Sequence, residues 1–299
     1  MRLVTLLEDG RRGSGLVVGD EVVDLTDPVV GLPPALADLL ALGPDALAAL
    51  GRAARRVPLA EARLGAPVHR PPVFLGIARN YGDHIAELGA ERPTRQTWFA
   101  KLSTCVVGPG DAIEVPTASE QVDYEGELGV VIGRRCRDVT RERALEVVAG
   151  YTVVNDVSVR DWQRATPTTL LGKGFDSHGP TGPWLVTTDE VPDPQVLAVR
   201  TRVNGELRQD GSTADMIFDV ADMIAHVSTV ATLEPGTVLA TGTPAGVGAA
   251  SDPPRWLAAG DTVTVEVEGV GILTNPVVDE TAPHETAPHE TAPHDGAVA

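Results

Sequence analysis

Short runs of β-branched and apolar residues, each cut off by glycine, proline or charge, recur through most of the chain. They include Val73 to Ile77, Glu127 to Ile132, Tyr151 to Asn155, Trp184 to Thr187, Ala198 to Val203, Val238 to Thr241 and Thr262 to Val267. Runs of this length suit strands, and a chain built from so many must bury them against one another. Asn204-Gly205 falls between two alternating runs and predicts a hairpin, because both residues tolerate the positive φ that a tight turn requires. Helical patterns are fewer: Gly82 to Leu88, Thr140 to Val148 with Gly150 as its stop, and Asp219 to Ala231. In the last, Val220, Ile224, Val227 and Ala231 form one apolar face. The fold class expected is therefore α+β and strand-dominated, without a regular β-α-β alternation.

Residues 1–66 read as a small N-terminal α/β unit. Strand-like runs span Arg2 to Leu7, Gly15 to Val18 and Glu21 to Leu25, and helix-like runs span Ala35 to Leu42 and Asp45 to Arg56. Asp45 is a plausible N-cap after the Gly43-Pro44 break. Pro67 and Pro71-Pro72 then lead into a larger domain, 67–278. Residues 279–299 form a tail carrying three tandem copies of Glu-Thr-Ala-Pro-His. A five-residue period with a proline in each copy fits neither helix nor strand and offers little apolar surface to offset ordering, so a disordered extension is expected.

The net charge of −18 over 299 residues repels phosphate backbones, which argues against a nucleic-acid partner. No stretch reads as a membrane span, and Glu8 and Asp9 interrupt any secretory apolar core. Cys105 and Cys136 stand alone with no C-x-x-C spacing, which suits a reducing, cytoplasmic setting.

Chemistry concentrates first in Asp123-Tyr124-Glu125-Gly126-Glu127-Leu128-Gly129. On a strand, Glu125 and Glu127 share a face with Gly129, Val131 and Gly133, where small residues are expected to leave space beside the carboxylates. Crowded carboxylates repel unless solvated, protonated or bridged by a cation. Asp156 ends the neighbouring apolar run. Were it to converge with the two glutamates, the all-oxygen set would suit Mg²⁺ or Mn²⁺, not zinc. On spacing alone, acids alternating along a strand more often mark a solvated face. His84 and Glu87 are three apart on a helix and hence adjacent, as a general base and its orienting carboxylate must be, or as any exposed pair would be. Lys173, between Gly172 and Gly174, could stabilise a developing oxyanion or simply lie in solvent. The Thr241-to-Gly248 turn could offer N–H groups to an anion, or serve only as a tight turn.

Taken in order, these segments resemble the fumarylacetoacetate hydrolase family over roughly Pro67 to Val278. The likeness runs through Arg79-Asn80-Tyr81 with His84, Val107-Gly108-Pro109-Gly110, Glu125-Gly126-Glu127-Leu128 and Asn155-Asp156-Val157-Ser158-Val159-Arg160-Asp161. It continues in Gly172-Lys173-Gly174-Phe175-Asp176, Gly182-Pro183-Trp184, Asn204-Gly205, Thr241-Gly242-Thr243-Pro244 and Leu257 to Asp261. The resemblance implies a β-sandwich-like roll, a homodimer, and a divalent metal (Mg²⁺ or Mn²⁺) on Glu125, Glu127 and Asp156. It implies a His84–Glu87 dyad on a short helix over the substrate, Lys173 facing the reacting oxygen, and Arg79, Tyr81, Arg160, Gln163 and Thr243 as substrate-binding groups. Ile77 supplies no acid where the founding hydrolase has a fourth ligand, which points to the smaller three-ligand type. The activity implied is hydrolysis of the C–C bond of a small-molecule 2,4-dioxo acid of acylpyruvate or fumarylpyruvate type. Oxaloacetate decarboxylation and hydroxymuconate isomerisation are alternatives at the same site, and a non-catalytic binding homologue is a further one. The stretch Arg164 to Leu171 varies among relatives, so the substrate itself is not implied.

Overall fold

A computed structural model describes residues 1–28, 30–42 and 55–281. Its strands form a 12-stranded mixed sheet, a five-stranded sheet and a two-stranded ribbon among the described residues, the strand-dominated α+β class expected. At the centre of the large sheet, strand Gly126–Ile132 pairs antiparallel with Val148–Asn155 on one side and Val238–Ala240 on the other. It is buried along its whole length, which explains why its sequence is nearly all apolar or glycine beyond Glu127. Val238–Ala240 then pairs parallel with Phe74–Ala78, which pairs antiparallel with the edge strand Thr97–Ala100. Gly76 is required in that pairing: a Cβ there would lie 2.3 Å from the Phe99 ring.

The two faces of the central strand feed two cores. Leu128, Val130 and Ile132 pack with Val199, Val203, Val263, Val265 and Leu273 of the five-stranded sheet. That sheet runs in the order Glu206–Ser212, Ala198–Val203, Thr262–Val267, Gly271–Asp279, Ile113–Val115. Val131 faces the opposite way, into a core with Val154, Leu185, Leu3, Leu25, Leu36 and Leu39. Each such fully buried Leu or Val contributes about 1.5–3 kcal/mol relative to an exposed one. Gly129 leaves no open space beside the carboxylates, contrary to expectation. Val154 and Thr152 fill it, and an added Cβ would meet Val154 at 2.6 Å.

The described part of residues 1–66 builds outward from the same sheet. Strand Arg2–Glu8 pairs antiparallel with Gly179–Thr187, setting Leu3 opposite Leu185. Arg11–Val18, Glu21–Asp24 and Arg56–Pro58 continue the sheet in that order. The expected helix Ala35 to Leu42 forms as Leu36–Ala41. The expected helix from Asp45, with Asp45 as its cap, lies outside the described residues except at its end, where Arg56 opens a strand. The repeats beyond residue 281 also lie outside them.

Two other expectations are corrected. The segment expected as helix Thr140 to Val148 is a 3₁₀ stretch, Arg141–Val147, and Val148 already belongs to strand Val148–Asn155. Gly150 is no helix stop: it sits in that strand where a Cβ would meet the Val186 carbonyl oxygen at 2.0 Å. Strand Gly179–Thr187 starts five residues earlier than its apolar run suggests. Asn204 and Gly205 have φ of 52° and 81° and join Ala198–Val203 to Glu206–Ser212, as the hairpin signal requires. Helix Val220–Val230 is capped by Asp219, whose Oδ1 accepts the Asp222 N–H at 2.8 Å. Ala231 lies beyond its end, exposed, while Val220, Ile224 and Val227 are buried. No helix among the described residues is long and apolar enough to cross a membrane.

One buried histidine gives this fold a testable acid sensitivity. His178 is fully buried, its Nε2 lies 2.8 Å from the Glu114 carbonyl, and burial pushes its pKa down to about 4. An unfolded histidine titrates near 6.5, so between those values the unfolded state binds the extra proton. Stability therefore falls as pH drops through that window, by up to ~1.4 kcal/mol per pH unit. Urea unfolding at about pH 7, about pH 6 and about pH 5 is expected to show this loss, with a shallower pH slope in His178→Gln. Identical slopes in the two proteins would remove His178 from the account.

Candidate metal centre

Adjacent antiparallel strands bring three acids together. Gly126 is registered opposite Asn155, so Glu125, one residue before its strand, meets Asp156, one residue after the neighbouring one. The Asp156 N–H donates to the Glu125 carbonyl at 2.8 Å, and the Glu125 N–H donates to the Asn155 side-chain oxygen at 3.1 Å. Glu127 follows on the same face. One carboxylate oxygen from each of Glu125, Glu127 and Asp156 lies within 4.8 Å of the others, and all three residues are buried.

The cations around them are distributed unevenly. Arg160, from helix Arg160–Ala165, pairs with Glu125 at 2.8 Å and with Asp123 at 2.8 Å. Lys173, at the end of helix Leu170–Lys173, pairs with both Glu125 and Asp156, and its ammonium lies 4.7 Å from the centroid of the Phe99 ring. Gly172 lets these helices touch, since a Cβ there would lie 2.3 Å from the Gln163 backbone nitrogen. Lys101 pairs with Asp156 at 2.7 Å. Burial alone would raise the Glu125 carboxyl, but the Arg160 and Lys173 cations hold it well below the usual range. Glu127 goes the other way: burial, then the Asp156 and Glu125 charges, push it well above. No ion pair reaches Glu127 among the described residues; its Oε2 accepts the Gly242 N–H at 2.8 Å.

Four carboxyl groups (Asp123, Glu125, Glu127, Asp156) thus face three cations (Lys101, Arg160, Lys173), and Glu127 is the one with no ion pair among the described residues and the one whose charged form is disfavoured. A divalent cation at the convergence of the three ligand oxygens would reverse that preference. An oxygen-only donor set suits Mg²⁺ or Mn²⁺, so the residues present fit such an ion.

The loop after strand Val238–Ala240 does present N–H groups to anions, but the anions are the protein's own. Gly242 serves Glu127, Ala245 serves Asp83, Gly246 serves Glu87, and Gly248 and Ala249 serve Asp123. Gly242 and Gly246 adopt φ of 91° and 103°, which only glycine accepts readily. Through this loop the acidic cluster is tied to helix Gly82–Glu87. There His84 Nδ1 lies 3.0 Å from Glu87 Oε2, while Glu87 Oε1 accepts the Gly246 N–H at 2.9 Å. Asn80 secures the helix approach, donating to the Thr241 carbonyl at 2.8 Å and accepting the Phe218 N–H at 2.9 Å.

A cavity of about 330 Å³ opens over this cluster. Glu125, Glu127, His84, Lys173, Arg160, Gln163, Thr243 and Arg79 supply much of its polar lining, and Ile77, Leu88, Phe99 and Val247 part of its apolar lining. Gln163 accepts from Arg160 at 3.0 Å. The Thr243 hydroxyl is already engaged, donating to the Gly126 carbonyl at 2.9 Å and accepting from Gln209 at 2.7 Å. Arg79 holds a left-handed backbone, φ 55°, at the cavity edge. Tyr81 departs from expectation: it is fully buried, does not line the cavity, and is flanked by Glu127 and Thr241.

Three residues that matter here were not singled out from sequence. Asp123 is fully buried and takes N–H groups from Tyr124, Gly248 and Ala249 as well as the Arg160 guanidinium. Its alternation with Glu125 and Glu127 was the available signal. Lys101 and Gln209 carry no local signal, since their partners lie far away in the chain.

Comparison with known proteins supports the same assignment. The family model for the fumarylacetoacetate (FAA) hydrolase C-terminal domain matches residues 74–278. A solved fumarylacetoacetate hydrolase from the psychrophile Exiguobacterium antarcticum is 40% identical with a TM-score of 0.83. A 5-carboxymethyl-2-hydroxymuconate delta-isomerase from Mycobacterium smegmatis is 35% identical with a TM-score of 0.77. Maleylpyruvate hydrolase from Sphingobium sp. SYK-6, solved with manganese(II) and pyruvate, is 33% identical with a TM-score of 0.79. Each match covers 94% of this chain and 100% of the other. With the family model matching residues 74–278 and identities of 33–40% over 94% of its length, the chain belongs to the fumarylacetoacetate hydrolase family.

Proposed function

We propose that this chain is a divalent-metal-dependent hydrolase that cleaves the C–C bond of a 2,4-dioxo acid of the acylpyruvate class. The observation that carries this reading is the buried Glu125–Glu127–Asp156 cluster beside a cavity that His84 also lines. The manganese and pyruvate bound to the Sphingobium relative support it. A bound Mg²⁺ or Mn²⁺ would supply Lewis acidity and a template for a substrate carboxylate and its 2-oxo group.

The protein's own groups do the rest. With Nδ1–H donated to Glu87, His84 keeps the Nε2 lone pair for the cavity, where it takes a proton from water. The hydroxide adds to the distal carbonyl carbon, and the bond between that carbon and the adjacent methylene breaks. One fragment leaves as a carboxylic acid. The other is pyruvate in its enolate form, which regains a proton at carbon. Lys173 places positive charge beside the developing enolate oxygen. Arg160 and Gln163 bind the substrate's polar groups, with Arg79 at the cavity edge and Thr243 holding the turn. We place the enzyme in the cytoplasm as a homodimer, in keeping with two buried free thiols and with the family resemblance.

The Mycobacterium isomerase likeness supports a second reading, a proton shift in a hydroxymuconate-type acid at the same site. The His84–Glu87 dyad serves either reaction as the base, acting on water in hydrolysis and on a substrate proton in isomerisation, so the substrate profile separates them. Purified protein assayed with an acylpyruvate, oxaloacetate and a hydroxymuconate, each with Mg²⁺ or Mn²⁺, is expected to consume the acylpyruvate fastest. Excess chelator is expected to slow it by about 10²-fold or more. Turnover of oxaloacetate alone, or of the hydroxymuconate alone, overturns the hydrolase reading.

A further inference from the structure

Lys101 lies outside the cavity lining, with a fully buried side chain whose ammonium meets two residues of the site, Asp156 and Lys173. Its ammonium pairs with Asp156 Oδ1 at 2.7 Å and donates to the Lys173 carbonyl at 2.7 Å and the Val157 carbonyl at 3.3 Å. The two carbonyls hold Lys101 in place, so it cannot follow a rotation of the Asp156 carboxylate. Asp156 Oδ1 is thereby kept on the Lys101 side, while Oδ2 turns toward Lys173 and Glu125. The other two acids are each held by one oxygen in the same sense: Glu125 Oε1 pairs with Arg160 and Glu127 Oε2 takes the Gly242 N–H, while Lys173 bridges the inner oxygens, Glu125 Oε2 and Asp156 Oδ2, and would yield them to an ion.

We infer that Lys101 is a positioning residue that denies Asp156 a second ligand oxygen and so biases the site toward small octahedral cations over Ca²⁺. This rests on the metal reading above. Three carboxylates that each offer one oxygen leave three positions of an octahedron for water or substrate, as Mg²⁺ and Mn²⁺ accept. Ca²⁺ prefers six to eight oxygens and gains from bidentate carboxylates. Removing the ammonium frees Asp156 to chelate with both oxygens, which favours the larger ion.

The test is calorimetric titration of the chelator-stripped full chain with Mn²⁺, Mg²⁺ and Ca²⁺, for the natural protein and Lys101→Met. Loss of a positive charge strengthens binding of all three ions alike, so the Ca²⁺-to-Mn²⁺ affinity ratio is the informative quantity. It is expected to move toward Ca²⁺ by about tenfold or more in Lys101→Met, the usual scale for groups that orient metal ligands. A ratio that shifts by less than about twofold overturns the inference. Should Lys101→Met fail to fold, the natural protein decides: about tenfold tighter Mn²⁺ than Ca²⁺ supports the inference, and equal affinity overturns it. Failure of the natural protein to bind any of the three removes the metal reading itself, and this inference with it.

Discussion

Glu127→Gln is expected to abolish divalent-cation binding and to lower turnover by about 10³-fold, while the protein stays folded. Glutamine is nearly isosteric, and its carbonyl oxygen can still accept the Gly242 N–H that Glu127 takes at 2.8 Å. What disappears is the one carboxyl group in the cluster with no ion pair among the described residues, and with it a ligand that an arriving cation would ionise. Burial and the neighbouring Asp156 and Glu125 already disfavour the Glu127 charge, so metal-free Glu127→Gln is expected to be at least as heat-stable as the metal-free natural protein. The measurement is thermal unfolding with and without Mn²⁺. An ion at about 100 times its Kd stabilises a folded host by ~2.7 kcal/mol, and that shift is expected in the natural protein only. A Glu127→Gln protein that keeps the full shift sinks the three-carboxylate site.

His84→Ala separates proton transfer from metal binding. The dyad is held by Gly246 and Asp83 contacts, and the imidazole pairs with Glu87, not with an acid of the Glu125–Glu127–Asp156 cluster. The Mn²⁺-induced stabilisation should therefore survive, while turnover of an acylpyruvate falls by about 10²–10⁴-fold, the usual worth of a positioned general base. Glu87→Gln is expected to fall in the same direction but by less, since the histidine remains. Turnover unchanged in His84→Ala would take His84 out of the base role and leave the metal centre standing.

The contrast between what could and could not be read from the chain is physical. Gly126–Ile132 was legible because a strand buried on both faces needs an unbroken apolar run. The hairpin at Asn204-Gly205 was legible because few residue pairs accept two positive φ values in succession. Arg141–Val147 misled because its local pattern fits either kind of helix, and only the strand beginning at Val148 sets where it ends. Gly179–Thr187 was cut short because Gly-Pro-Thr-Gly-Pro reads as loop, although its first residues pair with Val106–Val107.

Within the site, the local spacing of Glu125 and Glu127 could not distinguish a wet face from an ion cradle. Only the Gly126–Asn155 register, which delivers Asp156 from the next strand, gathers the three acids in the interior instead of on a wet face. Lys101 stayed hidden because its partner Asp156 is remote in sequence. Tyr81 misled in the opposite sense: its motif suggests a substrate contact, yet the backbone bridge to Met216 accompanies a side chain sealed inside the protein.

The pairing of Arg2–Glu8 with Gly179–Thr187 bears on how the chain can be shortened. Stripped of residues 1–66, the large sheet would end at Gly179–Thr187, baring unpaired peptide groups beside Leu185 and Val186, which are otherwise fully enclosed. Such a border is a template for strands of other molecules. Truncation to the catalytic region alone thus invites self-association, so the opening segment serves as the sheet's hem.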